Sequence, residues 1–246
     1  MKKLMLGAAM AAAIAAPAVA NAETNAVVGL QYSNSDYGSG TDFDAYGVNG
    51  AFNHDFGSWT FQADGATNRI DFGGCCIGQS YAAAHATLGD ESFKYGAFVT
   101  LQDLFIYSGL GVGVEGQWNL SNVTFNGSVG YVDFGDLDSA GTNVAVDGSY
   151  FFTPNFSVGA SLSYLDFESL DGTTWGVGGE YRFANSPASV TLGYHSADYD
   201  YADVDTWTIG LNFDLGTGSL QERTHAGPSL NGAATLNNTF SGFGIP

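Results

Sequence analysis

The sequence predicts an all-β protein: a transmembrane, antiparallel, up-and-down β-barrel of about 12 strands. Three observations carry this: period-two alternation of apolar and polar residues, aromatic rows that bound the apolar runs, and links that alternate between short and long. In "GLGVGVEGQWNL", Leu110, Val112, Val114, Trp118 and Leu120 share one face, while Gly111, Gly113, Glu115, Gln117 and Asn119 share the other. "TWTIGLNFDL" sets Trp207, Ile209, Leu211, Phe213 and Leu215 against Thr206, Thr208, Gly210, Asn212 and Asp214. "NFSVGASLSYLD" opposes Phe156, Val158, Ala160, Leu162 and Tyr164 to four small polar or glycine positions.

Taken in order, the strands begin near Ala26, Phe43, Ser58, Ser80, Phe93, Gly109, Val123, Asn143, Phe156, Thr174, Ser189 and Thr206. Each runs for about ten residues, the length that a tilted membrane-crossing strand needs. The fourth, "SYAAAHATL", has small residues on both faces and is the least marked. Short links fall at 54–57, 89–92, 121–122, 153–155 and 184–188, and longer ones at 33–42, 67–79, 102–108, 134–142, 167–173 and 197–205. Short periplasmic turns and longer external loops are the pattern of a membrane barrel.

Aromatics mark both ends of the strands. Tyr32, Tyr131, Tyr164 and Tyr194 stand where strands enter the longer links, and Phe52, Trp118, Tyr150, Tyr181 and Phe213 where strands return. An amphipathic ring is favoured at headgroup depth, so these nine are expected at the two membrane interfaces. "YVDFGDLD" (131–138) and "YLDFESLD" (164–171) then read as an interfacial tyrosine followed by an acidic external loop. The returning strands carry their own repeat, "GVNGAF", "GVEGQW", "AVDGSY" and "GVGGEY", which suits hairpin duplication.

The first 22 residues, with two lysines, an apolar run and a small-residue close, are expected to be a secretory signal peptide. Residues 23–215 form the barrel, and 216–246 form an extension expected to be periplasmic or lumenal. Beyond the leader only Arg69, Lys94, Arg182 and Arg223 face 25 Asp and Glu, so the chain has no surface for nucleic acid. Cys75 and Cys76 are adjacent and lack zinc-site spacing, so they read as a loop feature whose oxidation state the sequence leaves open.

The expected inward face is built of Gly, Ser, Thr, Asn and Gln, which leaves room for water. Its charged members are Asp64, Lys94, Glu115, Asp147, Glu180 and Arg182, with Glu115 and Asp147 at equivalent places in their repeats. Carboxylates in excess favour cations. Glu180 and Arg182 can equally brace the wall. No chemistry is expected: His195 and Ser196 are neighbours on a strand and so point to opposite faces. His54 and His85 offer no nucleophile pair, and the acidic links lack a calcium-loop pattern, so neither a metal nor a cofactor is expected.

On this pattern the chain, from Ala26 to Leu215, resembles Gram-negative outer-membrane β-barrel proteins and, among them, the porin-like group. "TIGLNFDL" (208–215) is similar to the terminal signal read by the outer-membrane assembly machinery, through Thr208, Gly210, Phe213 and Leu215. In that family the signal ends the protein, whereas here 31 residues follow. The resemblance implies an outer-membrane location, contact with lipid and lipopolysaccharide, and possible homo-oligomers. It also raises the reading that "LQDLFIYSG" (101–109) folds inward as a constriction, against the favoured reading that it extends two strands. The function expected is passive diffusion of small hydrophilic solutes and ions, with a modest cation preference. The alternative is a non-conducting surface barrel with acidic cation-binding loops.

Overall fold

The computed structural model describes residues 24–38, 42–71, 76–105, 107–135, 139–168, 170–200, 202–216 and 218–241. The leader and Cys75 lie outside them, as do Ile106, Asp136 and Asp138; Cys76 opens a strand, but its side chain is not described. The strands are β1 (Thr24–Asp36), β2 (Asp42–Asp55), β3 (Trp59–Asp71), β4 (Cys76–Gly89), β5 (Phe93–Leu104), β6 (Tyr107–Leu120), β7 (Val123–Phe134), β8 (Ser139–Thr153), β9 (Phe156–Phe167), β10 (Leu170–Arg182), β11 (Ala188–Tyr199) and β12 (Ala202–Asp214). Two helices follow, α1 (Leu220–Ala226) and α2 (Gly232–Ser241).

Every strand pairs antiparallel with its sequence neighbours, and β1 pairs with β12 from Val27↔Asp214 to Asp36↔Asp205, which closes the barrel. Closure leaves no edge strand with unpaired backbone groups, the requirement for spanning a bilayer. Strand β4 pairs along its length with β3 and β5, and its alternation resolves as Tyr81, Ala83, His85 and Thr87 inward.

In mid-barrel the faces are those the period predicts. Trp118 and Trp207 are 52% and 56% exposed, as are their aliphatic companions Val114, Leu162 and Ile209, whereas Gln117, Thr206 and Thr208 are buried in the interior. Grease outside and polar groups inside is the inverse of a soluble fold, and lipid is the solvent that makes it stable.

The strands are longer than expected, 12 to 15 residues. The extra length lies where long loops were expected. Strands β4, β8, β10 and β12 begin at Cys76, Ser139, Leu170 and Ala202, in place of Ser80, Asn143, Thr174 and Thr206. The links left over span only 37–41, 72–75, 105–106, 135–138, 168–169 and 200–201. The sorting of links by length is therefore largely a sorting of strand ends by polarity. Polar ends still form the ladder, because water solvates their outer face while the backbone pairs.

The repeated "YVDF" and "YLDF" sit in these extensions as strand, and there the patterning inverts. Tyr131 and Asp133 face outward, while Val132 and Phe134 face inward; Tyr164 and Asp166 face outward, Leu165 and Phe167 inward. Ala197, Tyr199 and Val204 follow the same rule. Above the lipid the outer solvent is water, so the chain returns to apolar-in, polar-out. The outcome is an apolar cluster inside the barrel mouth at the end remote from Thr24 and Asp214, which Tyr81, Phe98, Leu104 and Tyr107 join.

The "LQDLFIYSG" stretch extends β5 and β6 into a tight hairpin, with Leu104 paired to Tyr107 and Phe105 at φ 59°. It does not fold inward as a constricting loop. Its apolar side chains join the mouth: Leu104 and Tyr107 pack on the cluster just described, and Phe105 packs on Ala45 and Ile70.

Candidate functional site

Strand β12 does not end the molecule. Leu215 N–H donates to the Ala26 carbonyl (2.8 Å), and the chain then turns back into the barrel. Ser219 caps α1 with a reciprocal capping box: its hydroxyl accepts from Glu222 N–H, and the Glu222 carboxylate accepts from Ser219 N–H (2.7 Å). The start of α1 docks on turns at the end that holds Thr24 and Asp214, with Gln221 N–H donating to the Pro154 carbonyl (2.9 Å) and Leu220 N–H to Asn155 Oδ1 (3.2 Å). From there the segment climbs. Helix α2 packs on β4 through β10, and Tyr199 Oη near the far mouth donates to the Thr239 carbonyl.

The charged residues expected to line the lumen all point inward and all have partners. Glu180 is gripped by Arg223 through two bonds (3.1 and 2.6 Å), and it also accepts from Ser189 and Asn212. Lys94 Nζ donates to the His225 carbonyl (2.6 Å). Asp147 accepts from Asn126 on the wall and from Asn231 on the tail, both at 2.9 Å. Glu115 accepts from Gly232 N–H (3.1 Å) and meets His85 Nδ1 at 2.5 Å. His85 Nε2 lies 2.7 Å from Asp64, so the ring stands between two carboxylates. Arg182 binds Asp214 (2.9 Å) and the Ser186 carbonyl (3.1 Å), and so braces the wall where β10 and β12 end.

Four of these six residues, Lys94, Glu115, Asp147 and Glu180, thus hold the tail. The expectation of an interior free for water is corrected in this respect: amides and hydroxyls that were to line it are bonded to the tail. Gln62 exchanges bonds with Leu230 and Gln117 with Ser229, Ser163 and Thr239 share one hydroxyl–hydroxyl bond, and Asn53 donates to the Ala226 carbonyl. What remains is a cavity of about 430 Å³ beside the plug, lined by small and polar wall residues such as Asn49, Ser161, Thr191 and Asn212, with Asp64, Asp147 and Glu180 among them and Arg223 opposite.

The nine expected interfacial aromatics all lie on the outer surface. Phe52 and Tyr194 are half-exposed, and Tyr32, Trp118, Tyr131, Tyr150, Tyr164, Tyr181 and Phe213 are exposed. Tyr32 and Tyr194 donate to Asp44 (2.7 Å) and Asp205 (2.8 Å), which tips their rings toward the acidic end. The rows hold further members. Tyr46, Trp175 and Trp207 pair with Tyr32 and Tyr194 at one end, and Phe152, Phe156 and Phe183 join Tyr150 and Tyr181 at the other. Of the assembly-signal positions, Thr208 and Gly210 face inward, while Phe213 and Leu215 face outward beside the β1–β12 seam.

Sequence reasoning missed the tail partners Arg223, His225, Ser229, Asn231 and Gly232. One signal was available: "SLQE" at 219–222 is a capping-box pattern. Phe151 was also missed. It lies between outward Tyr150 and Phe152, so the alternation of β8 points its ring inward, edge-on to His225, just before the register shift that precedes Thr153.

A family model described as Gram-negative porin matches residues 107–221, from β6 through β12 into α1. No curated protein matches the sequence. Solved structures share the fold. The NanC porin aligns with TM-score 0.61 and 11% identity over 76% of this chain and 98% of its own. The KdgM porin aligns with TM-score 0.56 and 11% identity over 75% of this chain and 98% of its own. The match over residues 107–221 and the closed 12-strand architecture liken this chain to porin-like Gram-negative outer-membrane β-barrel proteins.

Proposed function

We propose that the protein is a channel for passive diffusion of small hydrophilic solutes and ions across the outer membrane, with a modest preference for cations. The observation that carries this reading is the polar cavity beside the plug, whose wall holds Asp64, Asp147 and Glu180 against Arg223. Asp64 shares His85 with Glu115, and Glu180 is matched by Arg223, whereas the hydrogen-bond partners of Asp147 are both amides. Asp147 is therefore the charge that a passing cation meets least compensated. One KdgM structure is described as a complex with disordered oligogalacturonate, a polyanion. The acidic cavity here suits neutral or cationic solutes better. Reversal potentials across a planar bilayer under a salt gradient test this: cation selectivity that falls with Asp147→Asn is expected, and anion selectivity rejects it.

A second reading is favoured by one observation, the occupied lumen. In it the protein is a non-conducting surface barrel whose acidic outer end binds cations at the lipopolysaccharide layer. Carboxylates face each other across strands there, as Asp36↔Asp42, Asp171↔Asp166 and Asp198↔Asp203. Like charges so placed repel unless counter-ions sit between them. Absence of conductance under every condition, with stability that rises on adding divalent cations, would favour this reading. Outer-membrane assembly through the 208–215 signal and a cleaved leader at 1–22 belong to both readings.

A further inference from the structure

We propose that residues 219–241 are a resident plug cut to fit this lumen, and that their withdrawal opens the conducting path; this rests on the channel reading above. The fit is reciprocal. Leu236 of α2 is fully buried over glycines of the inner wall: a Cβ added at Gly130 would lie 3.2 Å from Leu236 Cδ2, and one at Gly111 would lie 3.0 Å from it. Conversely, the tail has its own glycine where the wall is bulky. A Cβ at Gly232 would stand 2.7 Å from Glu115 Oε2 and 2.8 Å from the Phe98 ring. Wall and tail thus carry knob and hole at matching places, which a segment lodged there without selection has no reason to show.

The remaining grip is polar and spaced along the whole climb: Glu180–Arg223, Lys94–His225, Asp147–Asn231 and Ser163–Thr239. Each of these bonds exchanges with water at small net cost, so the polar part of the grip does not bar withdrawal, and the buried Leu220, Leu230 and Leu236 supply its apolar part. Helices of 7 and 10 residues are also too short to hold their form alone, so their order depends on the seat. Ala233 and Leu236 belong to the same apolar cluster as Phe134, Leu165 and Phe167 at the far mouth. Removing the plug therefore takes the floor from beneath that cluster, and plug and mouth act as one gate.

The test uses the full chain in a background with Cys75→Ser and Cys76→Ser. Gly130→Leu pushes on Leu236 from the wall; Gly232→Val pushes on Glu115 and Phe98 from the tail and leaves the barrel untouched. Ser163→Cys with Thr239→Cys, whose hydroxyls lie 2.8 Å apart, locks the plug on oxidation. Seating is read independently by the rate at which Thr239→Cys alone reacts with a water-soluble maleimide. The expected results are low conductance for the parent, a severalfold rise with faster labelling in both glycine variants, and loss of current on oxidation of the cysteine pair that reductant restores. Current through the oxidised pair equal to that of the glycine variants overturns the plug and leaves the channel reading standing. Labelling as slow in both glycine variants as in the parent overturns the fitted seat. Fast labelling without current overturns the gate and the channel reading together.

Discussion

Glu180 on β10 and Arg223 on α1 form a two-point ion pair, with Arg223 Nη2 2.6 Å from Glu180 Oε2 and Nη1 3.1 Å from Oε1. The two partners are not equally replaceable. Glu180 also receives bonds from Ser189 and Asn212, whereas among the described residues the hydrogen bonds of the Arg223 guanidinium run to Glu180. Removing one member of a largely buried pair costs about 3 kcal/mol. Glu180→Gln is expected to approach that figure and Arg223→Gln to fall well short of it, as measured by denaturant unfolding of the refolded protein in detergent.

The His85 bridge between Asp64 and Glu115 makes a similar prediction with a built-in control. His85→Leu leaves two buried carboxylates without the ring that separates them, and the loss is expected to be about 3 kcal/mol or more. Adding Asp64→Asn and Glu115→Gln removes the repulsion, so the triple variant is expected to be more stable than His85→Leu alone. A triple variant that is weaker than the single one would show that the ring holds the wall by packing on Phe98, whose centroid lies 5.7 Å away.

The lipid face has its own signature. Ile209 sits in mid-strand on the outer surface, and an arginine there is expected to cost about 2–4 kcal/mol at bilayer depth. The same change at Asp205, also outward but beside the Tyr194 hydroxyl, is expected to cost about 0–1 kcal/mol at the interface. Equal costs at the two sites, read from unfolding titrations in lipid vesicles, would mean that the outer surface carries no membrane boundary between them.

Phe213 tests the seam. It faces outward on β12, paired with Val28 of β1 and Ala188 of β11. Phe213→Ala is expected to lower the yield of folded barrel in outer-membrane fractions, read as heat-sensitive mobility on a gel, more than Leu211→Ala on the same face. Equal yields would remove the assembly role from the 208–215 signal.

The parts legible in the sequence share one property: they are local. Alternation in "TWTIGLNFDL" fixes which side chains of β12 meet lipid, because a strand sends neighbours to opposite faces whatever its partners do. The inward direction of Glu115 and Asp147 follows from the same rule. The rest was hidden for two physical reasons. The solvent changes along a strand, so Asp198, Asp203 and Asp205 read as loop although they are strand whose outer face has reached water. The occupant of the lumen comes from elsewhere in the chain, and nothing about Glu180 announces Arg223, 43 residues away. The clearings at Gly111 and Gly130 read as room for solvent until Leu236 is seen to fill them.

The most direct measurement needs no substitution. Trp59, Trp118, Trp175 and Trp207 all lie exposed on the outer surface, in or beside the aromatic rows. In vesicles whose acyl chains carry bromine at a defined depth, their fluorescence is expected to be strongly quenched, more by bromine near the headgroups than by bromine at the chain ends. Fluorescence indifferent to brominated lipid and quenched instead by aqueous iodide would contradict a barrel that turns its apolar face to the membrane.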